Sequence, residues 1–187
     1  IMGIVKIAAG SIHFANTDIS NLSSYQISRL GLAYVPEDRR VFTDLTVLEN
    51  LEVGRQNERD NAPVWTPERL FELFPNLGEM RDRPGGQMSG GEQQMLTIAR
   101  SLMGNPTTIL LDEPSEGLAP VIVEQMANTI RELKSEGLTV VLSEQNLHFA
   151  NLVSDRAYII EKGRIRYEGT MEALAADEEV RQAYLTV

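Results

Sequence analysis

The segment Gln87–Pro114 reads QMSGGEQQMLTIARSLMGNPTTILLDEP, and its two ends carry different chemistry. A Ser-Gly-Gly turn starts a helix there; glycine lets the backbone approach a ligand, and the first-turn N–H groups have no partner within the helix. The segment ends in the apolar run Ile109–Leu111, followed by the adjacent carboxylates Asp112 and Glu113. A parallel strand presents such carboxylates at the carboxyl edge of its sheet. The segment therefore predicts a phosphate-binding helix start and a carboxylate-tipped strand.

Taken together, the two ends are far more specific than either alone. A Ser-Gly-Gly turn is common, and many strands end in an acidic loop. With Asp112 placed 23 positions after Ser89, the pair resembles the signature and Walker B motifs of ATP-binding-cassette (ABC) ATPases. The resemblance implies an α/β P-loop NTPase core with a mainly parallel sheet, interrupted by a helical subdomain. It also implies ATP and Mg²⁺ as cofactors.

The resemblance assigns roles to the residues of both motifs. Asp112 would hold Mg²⁺ directly or through water, because hard cations take carboxylate oxygens. Glu113 would orient and deprotonate the attacking water. The signature residues would bind the γ-phosphate of a nucleotide held by a second ATPase subunit; they are Ser89, Gly90, Gly91 and Glu92. Two such subunits would meet head-to-tail across a two-fold axis.

Three further loops occupy positions typical of the family. Glu37 lies at the Q-loop position, where it replaces the usual Gln, and is assigned to both nucleotide and Mg²⁺ binding. Ser115 and Gly117 lie in the D-loop position, which crosses the dimer interface, and are assigned to nucleotide binding. Gln145 is a candidate catalytic residue at the switch position, where a His usually contacts the γ-phosphate. A Gln can donate a hydrogen bond but cannot carry a proton. His148 is expected to be an exposed helix residue.

Composition and charge restrict the class of protein. A chain of 187 residues is long enough for one domain with a real core. The net charge of −10 argues against a nucleic-acid-binding surface, and without cysteine there is no thiol chemistry. No apolar run approaches the ~18 residues that span a bilayer. These properties predict a soluble protein that reaches a membrane through partners.

Hydrophobic periodicity and turn residues predict the order of elements. Predicted strands are Ser11–Phe14, Leu32–Val35, Ile109–Leu111, Thr139–Leu142 and a hairpin of Tyr158–Ile160 with Arg164–Tyr167. Predicted helices begin after Ser23 or Ser24, at Val47, at Pro67, at the signature and near Ile122, with two short acidic helices at the end. Ile1–Val5 is predicted to be the tail of an apolar helix. The apolar content of 139–142 predicts a strand covered on both faces. We expect one domain, 1–187, with an α/β core (1–36 and 105–187) and a helical subdomain (about 37–104).

Several short motifs indicate one subfamily. These motifs are Val-Pro-Glu before Arg39–Phe42, Ser115–Pro120, Glu144–Asn146 and Ala183–Leu185. They resemble the second ATPase subunit of high-affinity branched-chain amino-acid importers and, less closely, its urea-importer relative. The resemblance implies transmembrane permease subunits, an identical or sister ATPase, and indirectly a periplasmic or extracellular solute-binding protein. It implies a peripheral location on the cytoplasmic face of the bacterial inner membrane, and it leaves the solute open.

Two other classes of function share parts of these motifs. A DNA-maintenance ABC ATPase would carry a long coiled coil between the Q-loop and the signature. Only 52 positions separate Glu37 from Ser89, without sustained heptads, and the charge is −10, so that class is rejected and no nucleic-acid partner is expected. A non-catalytic module that donates its signature to a partner's ATP remains open.

The last sequence feature is an absent motif. No Gly-x-x-x-x-Gly-Lys-[Ser/Thr] loop, which would cradle the α- and β-phosphates, occurs in the 187 residues. The resemblance places that loop before residue 1, so we expect an N-terminally truncated form with exposed apolar surface. We predict that this chain alone neither binds nor hydrolyses ATP appreciably. Robust phosphate release in a steady-state ATPase assay would contradict the prediction.

Overall fold

A three-stranded parallel sheet organises the first part of the chain in the computed structural model, which describes residues 1–184. Its strands lie in the order β3-β4-β5, with bounds Leu32–Val35, Thr108–Asp112 and Thr139–Ser143. Val35 is in register with Leu111, and Asp112 with Ser143. The predicted parallel sheet is confirmed, and the carboxyl ends of all three strands meet at one edge.

The strand β5 corrects one expectation. We predicted that 139–142 would be covered on both faces, but its residues alternate between exposed and half-buried, and Val141 is 47% exposed. β5 ends the strand order and pairs with β4 on one side. Val and Leu favour strands because of their shape as well as their burial, so apolar content predicts the strand but not its coverage.

Helices fill the chain between β3 and β4. They are α2 (Val47–Gly54), α3 (Pro67–Leu73), α4 (Pro75–Glu79), a 3₁₀ turn (Gly85–Gln87) and α5 (Gly90–Leu102). The helix α2 starts with a capping box in which Thr46 and Glu49 satisfy each other's backbone N–H groups. Most of α5 is buried, from Gln94 to Ala99. The division into an α/β core and a helical subdomain stays a prediction.

The first thirty residues form a hairpin and a short helix. The strands β1 (His13–Phe14) and β2 (Thr17–Asp18) are antiparallel, and the turn between them has two residues with left-handed backbone. The helix α1 (Ser24–Arg29) is capped by Ser23 and followed by Gly31 at φ 100°, as predicted.

The predicted helix tail at Ile1–Val5 is wrong. These residues form bends, and Gly3 has a left-handed backbone with φ 65°. Five residues make too few backbone hydrogen bonds to hold a helix. Instead, Met2 is buried in a small apolar cluster with Ile19, Ile27 and Leu32.

The chain divides into two compact units, Ile1–Ser143 and a second unit that begins at Glu144. The second contains α7 (Leu147–Val153), the hairpin of β6 (Arg156–Glu161) and β7 (Arg164–Thr170), α8 (Met171–Ala176) and α9 (Glu178–Tyr184). The predicted hairpin, with its Lys162-Gly163 turn in left-handed backbone, is confirmed. His148 is exposed, as expected. Leu185 of the Ala-Tyr-Leu motif lies outside the described residues.

Arg59, in the loop between α2 and α3, joins two helix ends of the first unit. One terminal nitrogen donates to the carbonyls of Gly104 and Asn105 after α5. The other donates to the carbonyls of Ser28 (3.1 Å) and Arg29 (3.3 Å) at the end of α1. The last carbonyls of a helix lack intrahelical partners and favour a cation. Arg59 therefore ties the loop, α1 and α5 together.

We predict that Arg59→Lys lowers the free energy of unfolding by about 1–3 kcal/mol, because an ammonium group cannot reach both pairs of carbonyls and leaves some without a donor. The matched control is Arg55→Lys, which alters an exposed pair with Glu52 and should change stability by less than ~0.5 kcal/mol. Urea denaturation measures both variants. Equal stabilities would show that the Arg59 bonds contribute little.

Candidate functional site

The carboxylate of Asp112 lies at the carboxyl end of β4 beside a tyrosine of β3. Tyr34 is in register with Leu110, and Leu110 and Asp112 lie on the same face of β4 because side chains alternate along a strand. The Tyr34 hydroxyl consequently donates to Asp112 Oδ2 at 3.0 Å. This contact orients the carboxylate at the edge where the strands end. Tyr34 lies in the predicted strand Leu32–Val35, but no spacing rule predicts its bond to Asp112.

The pKa of the Tyr34 hydroxyl is raised, first by burial and then by its hydrogen bond to the Asp112 carboxylate. Both effects oppose formation of a phenolate. Tyr34 therefore stays a hydrogen-bond donor to Asp112 throughout the physiological pH range.

Glu113 turns the chain sharply after β4. Its φ is 46°, in the left-handed region that non-glycine residues seldom adopt. Its N–H donates to the carbonyl of Ser143 in β5 at 2.9 Å, and its carbonyl accepts from the N–H of Glu116 at 3.1 Å. Such backbone conformations are common at functional sites, where surrounding contacts hold them. No local sequence pattern predicts this conformation.

The signature turn begins α5 with a capping box. Ser89 Oγ accepts from the N–H of Glu92 at 3.4 Å, and Glu92 Oε2 accepts from the N–H of Ser89 at 2.7 Å. Gly90 and Gly91 are the first residues of the helix, so their N–H groups point out of its end. Glu92 has a clear structural role here, and its assignment to nucleotide binding stays a prediction.

Arg39 lies against the signature turn and the D-loop. Its guanidinium Nη2 donates to the carbonyl of Glu116 at 3.3 Å. A Cβ placed on Gly90 would lie 2.6 Å from its Nη1, so the glycine leaves room for the guanidinium. Sequence reasoning used Arg39 only as a subfamily mark, because a contact across 77 positions leaves no local pattern.

The remaining predicted site residues take different positions. Ser115 is buried, whereas Gly117 is exposed with φ 65°. Glu37 is exposed two residues after β3, at the sheet edge where β4 ends in Asp112. Gln145 is exposed at the start of the second unit, between β5 and α7. The first unit thus brings together Asp112 with Tyr34, and the signature turn with the D-loop.

The Asp112 carboxylate would fit a Mg²⁺ ion that took its other ligands from nucleotide and water. Asp112 offers an oriented carboxylate at the sheet edge, which suits a hard cation. Within residues 1–184, no three His, Asp or Glu side chains group as an all-protein metal site. In that same range, no helix is long and apolar enough to cross a bilayer.

Known proteins resemble this chain in sequence and in fold. Residues 1–116 match the family described as ABC transporter. BraG of Pseudomonas aeruginosa, a high-affinity branched-chain amino acid transport ATP-binding protein, is 46% identical over 186 residues, covering 99% of this chain and 79% of BraG. LptB of Escherichia coli K12, the lipopolysaccharide export system ATP-binding protein, is 35% identical over 187 residues, covering 99% and 78%.

Solved structures give the same result. A nucleotide-free ATP-binding cassette from an ABC transporter superposes with a TM-score of 0.79 at 27% identity, over 100% of this chain and 81% of that one. An ATP-binding cassette of an ABC transporter in its ADP conformation superposes with a TM-score of 0.78 at 28% identity, over 99% of this chain and 80% of that one. The chain belongs to the ATP-binding family of ABC transporters, which couple ATP hydrolysis to transport. The predicted fold class is thereby confirmed.

We predict that Asp112→Asn lowers the pKa of Tyr34 toward its ordinary value of 10.0, because the charged acceptor is lost while burial remains. Tyrosine ring carbon NMR during a pH titration measures it, with Tyr34→Phe identifying the resonance. Asp38→Asn is the matched control, since Asp38 acts on Tyr34 only through its charge, and it should shift this pKa less.

The same pKa fixes a pH dependence of stability. Folding raises the pKa of Tyr34. The contribution of this hydroxyl to the free energy of unfolding is therefore complete below pH 10, and it declines as the pH rises through the pKa of Tyr34 in the folded protein. The decline should be smaller in Asp112→Asn. An unchanged Tyr34 pKa in that variant would show that the hydrogen bond is absent in solution.

Proposed function

We propose that this ATP-binding subunit energises the import of branched-chain amino acids. The observation that carries the proposal is the 46% identity to BraG over 99% of the chain, against 35% to LptB over the same share. The subfamily motifs, among them Arg39–Phe42 and Ser115–Pro120, support the same assignment. The subunit acts on the cytoplasmic side of the membrane through permease partners, with a solute-binding protein contributing indirectly.

Each carboxylate at the end of β4 has a separate task in this proposal. Asp112, oriented by Tyr34, holds Mg²⁺, and the ion neutralises charge on the nucleotide phosphates when bound. Glu113 accepts a proton from the attacking water, since phosphoryl transfer requires a positioned nucleophile and little covalent help. The backbone bond from Glu113 to Ser143 keeps this residue at a fixed place on the sheet edge.

The signature turn serves a second nucleotide in the same proposal. Ser89 and the N–H groups of Gly90 and Gly91 bind the γ-phosphate of ATP held by another ATPase subunit, because a helix start attracts anions. Closing the two subunits on ATP would then move the permease. Gln145 contributes a hydrogen bond to that phosphate without transferring a proton.

A second candidate function rests on a specific similarity. The identity to LptB of 35% to 36% in two organisms keeps lipopolysaccharide export as an alternative, and the urea-importer relative is the other. The three candidates share the ATPase site and differ in the cargo of the permease. Measuring the transported solute therefore separates them.

We predict that Glu113→Gln, introduced into the chromosomal gene of the source organism, lowers the initial rate of radiolabelled leucine uptake by about 100-fold, because it removes the general base. ATP binding by the protein that the chromosomal gene encodes should persist, since the side chain keeps its size. Glu124→Gln, an exposed change on α6 (Pro120–Ser135), is the matched control and should transport normally.

Deletion of the gene separates the cargo from the chemistry. Unchanged leucine, isoleucine and valine uptake in the deletion strain would refute the proposed solute. Loss of urea uptake, or lipopolysaccharide retained in the inner membrane, would support an alternative instead. Normal uptake with Glu113→Gln in a strain whose deletion abolishes uptake would refute the role of Glu113.

A further inference from the structure

We infer that Arg39 is a positioning residue that fixes the signature turn and the D-loop relative to the segment after β3. It lies two residues beyond Glu37, yet its contacts reach α5 and the loop after β4. All of these contacts lie within the first unit. The inference rests on the proposed function only for the tasks of the loops that Arg39 joins.

The backbone of Arg39 is held from one side by the signature helix. Thr97 Oγ1, on the buried face of α5, donates to the carbonyl of Arg39, and Arg100 Nη2 donates to the carbonyl of Arg40 at 2.7 Å. Arg39 and Arg40 have φ values of 60° and 43°, a costly conformation for two consecutive side-chain-bearing residues. Two donors from α5 stabilise this turn and fix its distance from the helix.

The side chain of Arg39 contacts the D-loop and the first residue of α5. Its Nη2 donates to the carbonyl of Glu116 at 3.3 Å, and a Cβ on Gly117 would lie 3.8 Å from that same nitrogen. Its Nη1 occupies the space beside Gly90 where a Cβ would lie. One planar group therefore touches both the first residue of α5 and the D-loop.

The electrostatics favour positioning over simple ion pairing. Within residues 1–184, Arg39 forms no ion pair, and its guanidinium donates to the backbone carbonyl of Glu116. A guanidinium beside a helix N-terminus is disfavoured by the helix dipole, so the charge is not there to stabilise α5. The contact instead fixes geometry: Nη2 donates to the D-loop carbonyl of Glu116, and Nη1 lies beside Gly90.

Because of these contacts, a movement of the segment after β3 would alter both the signature turn and the D-loop. Displacing Arg39 would release the carbonyl of Glu116 and vacate the space beside Gly90. In the proposed function, these are the loop that crosses to the partner subunit and the turn that binds the partner's nucleotide. Arg39 would thus make the two loops respond together.

Hydrogen exchange of the nucleotide-free chain tests the link, because local opening sets the exchange rate of loop amides. The N–H groups of Glu116 and Leu118 close the D-loop by bonding to the carbonyls of Glu113 and Ser115. We expect Arg39→Met to speed the exchange of these two amides by about tenfold or more, because the variant loses one hydrogen bond from a charged donor to the D-loop. Arg39→Lys, which keeps a donor, should retain most of the protection.

Two further variants sharpen the experiment. Gly90→Ala should speed the same amides by pushing the guanidinium away, while α5 itself keeps its stability because Ala is a better helix former than Gly. Arg40→Met is the matched control, since among residues 1–184 the exposed Arg40 side chain pairs with Asp38, and it should leave the D-loop unchanged.

Three results would overturn the inference. They are wild-type exchange at Glu116 and Leu118 in Arg39→Met, equal exchange in Arg39→Met and Arg39→Lys, and no effect of Gly90→Ala. If Arg39→Met does not fold, Gly90→Ala decides alone. The exchange measurement uses no nucleotide. A negative exchange result therefore does not contradict the proposed transport function, and a negative leucine-uptake result does not contradict the role of Arg39.

Discussion

The parallel pairing of β3, β4 and β5 is the constraint on which the site depends. Parallel strands with matched registers end at one edge, so the loops that follow them start as neighbours although more than seventy positions separate β3 from β4. The edge also decides the local chemistry. Tyr34 reaches Asp112 because the register places them on one face, and Glu113 bonds to Ser143 because β5 is the next strand.

Neighbouring strand ends do not by themselves hold the loops in place. The helix α5 holds the loop that follows β3. Its buried face anchors it, and two of its side chains, Thr97 and Arg100, donate to the carbonyls of the turn at Arg39 and Arg40. Burial lowers the pKa of the Arg100 guanidinium, an unfavourable effect that its bonds and its position over the Phe42 ring at 4.8 Å offset. Left-handed backbone conformations that would otherwise be too costly persist where such donors meet them.

The features that the sequence predicted and those that it missed differ in the sequence separation between the interacting residues. The helix starts after Thr46 and Ser89 and the Lys162-Gly163 turn depend on residues three or fewer positions apart, and local patterns predicted all three. The coverage of β5 and the contacts of Arg39 depend on partners far along the chain, and propensity carries no information about them. The conformation of Glu113 falls between: the adjacent carboxylates of Asp112 and Glu113 indicated a function, but the left-handed turn at Glu113 depends on its backbone bond to Ser143 of β5.

Ser89 is both a helix cap and a proposed phosphate ligand, and the hydrogen-bond inventory shows that the two tasks are compatible. A hydroxyl has one proton and two acceptor positions. In the boxes of α1 and α2, the hydroxyl donates back, from Ser23 to Gln26 and from Thr46 to Glu49, each at 3.0 Å. Within the described residues, the Ser89 hydroxyl accepts one bond, from the N–H of Glu92, and donates none. Ser23 and Thr46 donate their hydroxyl protons within their own helices. The hydroxyl proton of Ser89 is not used in this way, so it can be donated to a phosphate oxygen.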